Sequence, residues 1–179
     1  PYTTLFRSKK YDLICIDINI KKLKVLKVRY KNINIYQCDL TNQKKIKQTI
    51  DKLNLKYKHF DILINNAGMI YNHPIIKLGS KGFQAHSYNN WKKVLNTNLN
   101  SVFLFSSSII ENFCNNRIRG VIINISSISA KGNIGQSAYS VAKSGVEILT
   151  KIWAQELSSF NIRVACIAPG FFKDRKSVV

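Results

Sequence analysis

Five short, almost wholly apolar runs, each stopped by a polar cluster, constrain this chain more than any other feature. Leu13-Ile14-Cys15-Ile16 ends at Asp17, and Ile33 to Cys38 ends at Asp39. Ile62-Leu63-Ile64 runs into Asn65-Asn66-Ala67-Gly68, Val121 to Ile125 stops at Ser126, and Arg163 to Ala168 closes on Pro169-Gly170. Runs of this length without alternation are the pattern of strands buried on both faces. Between them lie segments of helical period: Ile46, Ile50 and Leu53 behind a cap at Thr41, one long helix from Tyr88 to about Asn115, and another from about Ser137 to Ser159. The apolar face of the long helix is read as Trp91, Leu95, Leu99, Val102, Phe103 and Ile110. Residues 69–87, with Pro74, Gly79 and Gly82, read as loop. Strands alternating with helices call for an α/β, Rossmann-like doubly wound parallel sheet, in which ligands bind at the carboxyl ends of the strands. Every polar cluster just named falls at such an end.

The 179 residues, 45% hydrophobic, are about one domain's worth of chain and enough to build a core. No apolar run reaches the roughly 18 residues of a membrane helix, so no membrane partner is expected and the cytoplasm is the default location. Cys15, Cys38, Cys114 and Cys166 are far apart and lack metal spacing, so they read as buried reduced thiols with no metal site. The formal charge of +19 raises the question of nucleic acid. Residues 9–60 hold fourteen Lys or Arg against four Asp, but these are spread among Asn and Ile rather than interleaved with aromatics. There is no zinc spacing and no helix-turn-helix signature, so no nucleic-acid partner is expected. Residues 1–8 and 174–179 match the translation of a sequencing adapter and of its reverse complement, which leaves residues 9–173 as a partial domain.

Tyr139 and Lys143 stand one helical turn apart on one face. A neighbouring ammonium favours a phenolate, which makes such a pair a candidate general acid and base. Tyr88 and Lys92 repeat the spacing, but position separates the copies: Ser126, a strand-end hydroxyl, stands thirteen residues before Tyr139, whereas Ile75 stands thirteen before Tyr88. Alone, a strand-end serine more often satisfies the backbone, and Ser127 and Ser129 are neighbours easily mistaken for it.

Asn65-Asn66-Ala67-Gly68, Asn98-Leu99, Ser126, Tyr139-Ser-Val-Ala-Lys143 and Pro169-Gly170, in this order and spacing, resemble the short-chain dehydrogenase/reductase family in its single-domain form. The resemblance implies a catalytic set of Asn98, Ser126, Tyr139 and Lys143. Tyr139 exchanges the proton, Lys143 holds the nicotinamide ribose, Ser126 orients the substrate carbonyl, and Asn98 anchors a water linked to Lys143. It implies cofactor contacts from Asn66, Ala67 and Gly68 on the adenosine side and from Pro169 and Gly170 on the nicotinamide. Asp17 would bond the ribose 2′-hydroxyl, favouring NAD over NADP, and Asp39 the adenine amino group. The family's first strand with its Gly-rich turn, and the substrate lid after Pro169-Gly170, are missing from the matched pattern, which would leave the middle of the sheet unpaired.

The implied function is an NAD(P)-dependent oxidoreductase interconverting a carbonyl and a secondary alcohol. Gly120-Val-Ile-Ile-Asn124 and the segment Arg163 to Gly170 look like those of 3-oxoacyl-carrier-protein reductases and 3-hydroxyacyl-CoA dehydrogenases. A small-molecule or acyl-thioester substrate and a homodimer or homotetramer follow from the same resemblance. A sugar, polyol or steroid alcohol as substrate, or a non-catalytic NAD-binding protein of the same fold, are the competing readings.

Overall fold

The computed structural model describes residues 11–170; the stretches 1–8 and 174–179, read above as adapter translation, lie outside them. In chain order the elements are β1 (Leu13–Asp17), α1 (Ile20–Arg29), β2 (Ile33–Gln37), α2 (Gln43–Lys56), β3 (Ile62–Asn65), β4 (Ile76–Gly79) and β5 (Gly82–Ala85). They continue with α3 (Tyr88–Leu95), α4 (Ser101–Asn115), β6 (Val121–Ile125), α5 (Ser137–Glu156) and β7 (Arg163–Ile167). Every apolar run of the sequence is a strand, and all five pair in parallel.

Several local expectations give way. The cap of α2 is Asn42, whose side chain accepts from Lys45 N, because the Asp39 carboxylate takes both the backbone N–H and the hydroxyl of Thr41. The expected long helix is interrupted by a π-helical turn over Asn96–Asn100, between α3 and α4. Phe103 lies off the buried face of α4, half exposed, with its ring 6.4 Å from that of Trp153; Val102, Phe105, Ile109 and Phe113 make the core contact instead. The stretch read as loop contains an antiparallel hairpin, β4–β5, with Leu78 opposite Phe83 and Gly79 opposite Gly82. Helix α5 stops at Glu156 and is followed by a 3₁₀ turn over Ser158–Phe160. Helix α1, not among the segments named above, is capped by Asn19; Leu23 is its one fully buried residue, with half-buried Ile20 and Leu26 a turn to either side.

The parallel strands form two ladders, β1–β2 and β3–β6–β7. Between the facing edges of β1 and β3 lies a cleft of about 730 Å³, lined by Leu13, Ile14 and Ile16 on one side and Ile62, Ile64 and Asn65 on the other. This is where the sequence pattern lacks a strand. The main core sits on the larger ladder, where Leu53, Phe113, Ile122, Val146 and Trp153 pack together, each burial contributing about 1.5–3 kcal/mol. All four cysteines are free thiols; Cys38 is buried and the other three are only half-buried.

Candidate active site

Helix α5 begins at the carboxyl edge of the larger ladder and presents Tyr139 and Lys143 there. The Lys143 Nζ lies 5.8 Å from the centroid of the Tyr139 ring and donates to Ile125 O at 2.7 Å, at the tip of β6. Lys143 is 4% exposed, and this burial pushes its ammonium below the ordinary lysine range, opposed by the nearby Cys166 thiol. An ammonium has three donors, and the bond to Ile125 occupies one. The other Tyr-x-x-x-Lys pair stands on the surface of α3, with Lys92 Nζ 4.7 Å from an exposed Tyr88 ring.

Asn98 is fully buried in the π-helical turn. The extra residue of such a turn re-aims a side chain that a regular helix would point elsewhere, and these turns recur at functional sites. Its Nδ2 donates to Val94 O at 2.9 Å and Met69 O at 2.8 Å, while its Oδ1 accepts from Met69 N at 3.1 Å. Asn98 thereby clamps the chain just after Gly68. A Cβ on Gly68 would stand 2.7 Å from Asn98 Oδ1 and 3.8 Å from Lys143 Nζ, so glycine is what lets this backbone approach both side chains. Asn98, Gly68, Lys143 and Tyr139 are brought together.

Ser126 is placed differently from its expected role. The residue is 3% exposed and its hydroxyl turns into α5, donating to Glu147 Oε1 at 2.8 Å and lying 3.2 Å from Lys143 O. Strand alternation explains this: Ile122, Asn124 and Ser126 share the buried face, and Asn124 likewise reaches Thr150 of α5 at 2.9 Å. Ser127 points the other way and is half-buried, its Oγ accepting from Ser129 N at 3.2 Å. Glu147 escaped the sequence reading, although Tyr139, Lys143 and Glu147 recur every four residues along one face of α5.

Asp17, Asn66 and Ala67 all line the cleft between β1 and β3. Asp17 is exposed, with Oδ1 accepting from Asn19 N at 2.7 Å. Asp39 lies beyond that lining; Thr41, through its hydroxyl and then its backbone N–H, holds the Asp39 carboxyl below the usual range. Pro169 O accepts from Ile128 N at 3.1 Å, and Gly170 faces open space at the end of β7. The residues present fit the ribose and nicotinamide end of a dinucleotide: a buried ammonium with donors to spare stands beside a glycine whose Cβ the site would not admit. A glycine-rich pyrophosphate turn is not found among the described residues. A polar groove of about 830 Å³ between α2 and α4 contains none of these side chains.

A model of the short chain dehydrogenase family matches residues 3–176. The 3-oxoacyl-[acyl-carrier-protein] reductase FabG of Thermotoga maritima is 32% identical over 176 residues, covering 96% of this chain and 68% of that protein. FabG of Buchnera aphidicola is 39% identical over 155 residues, covering 86% of this chain and 60% of its own length. A solved 4-hydroxyisoleucine dehydrogenase complexed with NADH and succinate superposes with a TM-score of 0.77 at 32% identity, over 90% of this chain and 69% of that one. The chain belongs to the short-chain dehydrogenases, oxidoreductases that use a nicotinamide cofactor.

Proposed function

We propose that the protein to which residues 9–173 contribute a partial domain interconverts a carbonyl and a secondary alcohol, with a 3-oxoacyl or 3-hydroxyacyl thioester as substrate. The observation that carries this reading is that Lys143, beside Tyr139 on α5, meets Asn98 across Gly68 at the carboxyl edge of the sheet. The thioester is supported by the 3-oxoacyl-[acyl-carrier-protein] reductases among the relatives. The bound cofactor supplies or accepts the hydride. Tyr139 gives its phenolic proton to the carbonyl oxygen in reduction and takes it back in oxidation. Lys143 binds the ribose through the donors Ile125 leaves it. Asn98 fixes Met69 and the backbone at Gly68 against the lysine. With Ser126 turned into α5, Ser127 is the hydroxyl that meets the substrate oxygen, and Ser126 with Glu147 holds the helix against β6.

The exposed Asp17 carboxylate at the tip of β1 supports NAD(H) over NADP(H), since it would accept from a 2′-hydroxyl and repel a 2′-phosphate. Asp39, Asn66, Ala67, Pro169 and Gly170 complete the cofactor contacts. Half-exposed Phe103 on α4, with Val141, Ile148 and Ile152 on α5, form an apolar face that supports a homodimer or homotetramer. No helix among the described residues is long and apolar enough to cross a membrane, and four free thiols accord with a cytoplasmic setting.

The test is oxidation of NADH by the full-length protein with acetoacetyl-CoA. Tyr139→Phe is expected to lower kcat by about 10²–10⁴-fold while leaving NADH affinity in place. Turnover unchanged by that substitution would overturn the enzyme reading; turnover confined to sugar or polyol substrates would overturn the thioester.

A further inference from the structure

Helix α1 has two faces, and the fold uses one of them. Ile20, Leu23 and Leu26 turn towards β1 and β2, with Leu23 fully buried. Lys21, Lys24, Val25, Val28 and Arg29 follow one another at i, i+3, i+4, i+7 and i+8, which sets them together on the other face, and all five are exposed. Val25 is 68% exposed and Val28 82%, neighbours one turn apart. Valine gains nothing on a solvated helix face: its branched Cβ lowers helix propensity, and its methyl groups meet water.

The charge of this face is uncompensated. Helix α1 carries Lys21, Lys22, Lys24, Lys27 and Arg29 and no acid. Lys27 donates to the carbonyls of Lys31 and Ile33 at the helix end, and the Arg29 guanidinium lies 5.5 Å from the centre of the Tyr30 ring. Lys21, Lys22 and Lys24 meet no carboxylate, since the one ion pair among the described residues joins His59 and Asp61. Asp17, at the tip of β1, accepts from Asn19 N instead.

We infer that the outer face of α1 docks on an anionic lipid bilayer. The face has two chemistries, and such a surface has a layer for each. The cations stay at the level of the negative headgroups, while Val25 and Val28 reach past them to the acyl boundary. The expectation of no membrane partner rests on the lack of a spanning apolar run; a helix lying along the surface needs no such run, only a face that is both basic and apolar. Nucleic acid fits the lysines but leaves the valines in water. A second copy of this chain would bring the same cations together on molecules of charge +19. The docking is independent of the substrate proposed above.

The experiment follows co-sedimentation of the full-length protein with vesicles of phosphatidylcholine alone and of phosphatidylcholine mixed with phosphatidylserine. The parent is compared with Val25→Ser/Val28→Ser and Lys24→Glu/Arg29→Glu double variants, whose positions are all exposed and whose urea midpoints check their folding. The parent is expected to bind the anionic vesicles alone, with a partition coefficient that falls about tenfold or more from low to high salt. The valine variant is expected to bind about tenfold more weakly at either salt, because it keeps the charge and loses the apolar insertion. The charge-reversed variant is expected not to bind. Failure of the parent to bind anionic vesicles overturns the inference. So does binding that the valine substitutions leave unchanged, which would be attraction by the total charge of the molecule. Single-stranded RNA bound by the parent in place of vesicles, and equally by the valine variant, would assign the face to nucleic acid instead.

Discussion

Lys143 is the side chain whose burial has the most measurable consequence. Its ammonium is pushed below the ordinary value of 10.5 by desolvation, so the folded state holds the proton less tightly than the unfolded chain. Between the depressed value and 10.5 the unfolded state binds more protons, and stability gains from this group as pH rises; below the depressed value the burial penalty is present in full. Lys143→Met removes both the penalty and its pH dependence. In urea unfolding of the full-length protein, the parent is expected to gain stability relative to Lys143→Met between pH 7 and pH 10. A constant difference across that range would contradict the burial argument. The neighbouring serines separate by an analogous substitution. Ser127→Ala is expected to lower kcat by about tenfold or more with stability kept, and Ser126→Ala to cost about 1–2 kcal/mol of stability by leaving Glu147 without its donor. The reverse pattern would restore Ser126 to the carbonyl. Spacing from Tyr139 favours Ser126 because counting along a chain ignores which way a strand residue points; the alternation through Ile122 and Asn124 carries that information and assigns it to α5.

Among the elements, the five apolar runs were legible because each is of strand length and bounded by polar residues, which separates a strand from a buried helix segment; their burial on both faces was over-read, since β7 alternates exposed Arg163, Ala165 and Ile167 with half-buried Val164 and Cys166. The hairpin was less so, although Ile76-Lys77-Leu78 alternates and Gly79-Ser-Lys-Gly82 is a two-residue turn flanked by glycines. Proline and glycine nearby drew the reading towards loop. Helix α1 was harder to read for the opposite reason: Ile20, Leu23, Leu26 and Tyr30 recur at helical spacing, but the exposed Val25 and Val28 interrupt the contrast between the two faces. The π-helical turn that buries Asn98 has no signature in a single sequence, since it requires knowing that one residue is surplus to the helical register. The end of α4 offers a test of element chemistry. Arg117 adopts φ 53°, with its N–H bonded to Cys114 O and Ile118 N to Phe113 O, a left-handed helix terminus filled by a residue with a Cβ. Arg117→Gly is expected to raise stability by about 0.5–1 kcal/mol, read as a higher urea midpoint with unchanged slope. A lower midpoint would mean that the arginine side chain makes contacts worth more than the backbone strain it imposes.

For the molecule as a whole, the decisive feature is the division of the parallel sheet. The edges of β1 and β3 face each other across an apolar cleft, and each presents backbone donors and acceptors that a central strand would pair. Such edges pair with other chains when left open. The same cleft holds Asp17, Asn66 and Ala67, so the residues proposed to bind the adenosine half of the cofactor hang on a wall that is only half built. Chemistry and architecture therefore part company here: the Tyr139, Lys143 and Asn98 cluster sits at the larger ladder, whereas the proposed dinucleotide contacts are divided between both ladders. The 179-residue polypeptide expressed by itself is thus expected to aggregate or to bind a hydrophobic dye, and to bind NAD too weakly for calorimetry. Supplying the chain with a strand that fills the cleft is expected to restore both solubility and binding. A soluble monomer of these 179 residues with micromolar affinity for NAD would mean that the two ladders are held in place without a central strand, and that the cleft is the cofactor site as it stands.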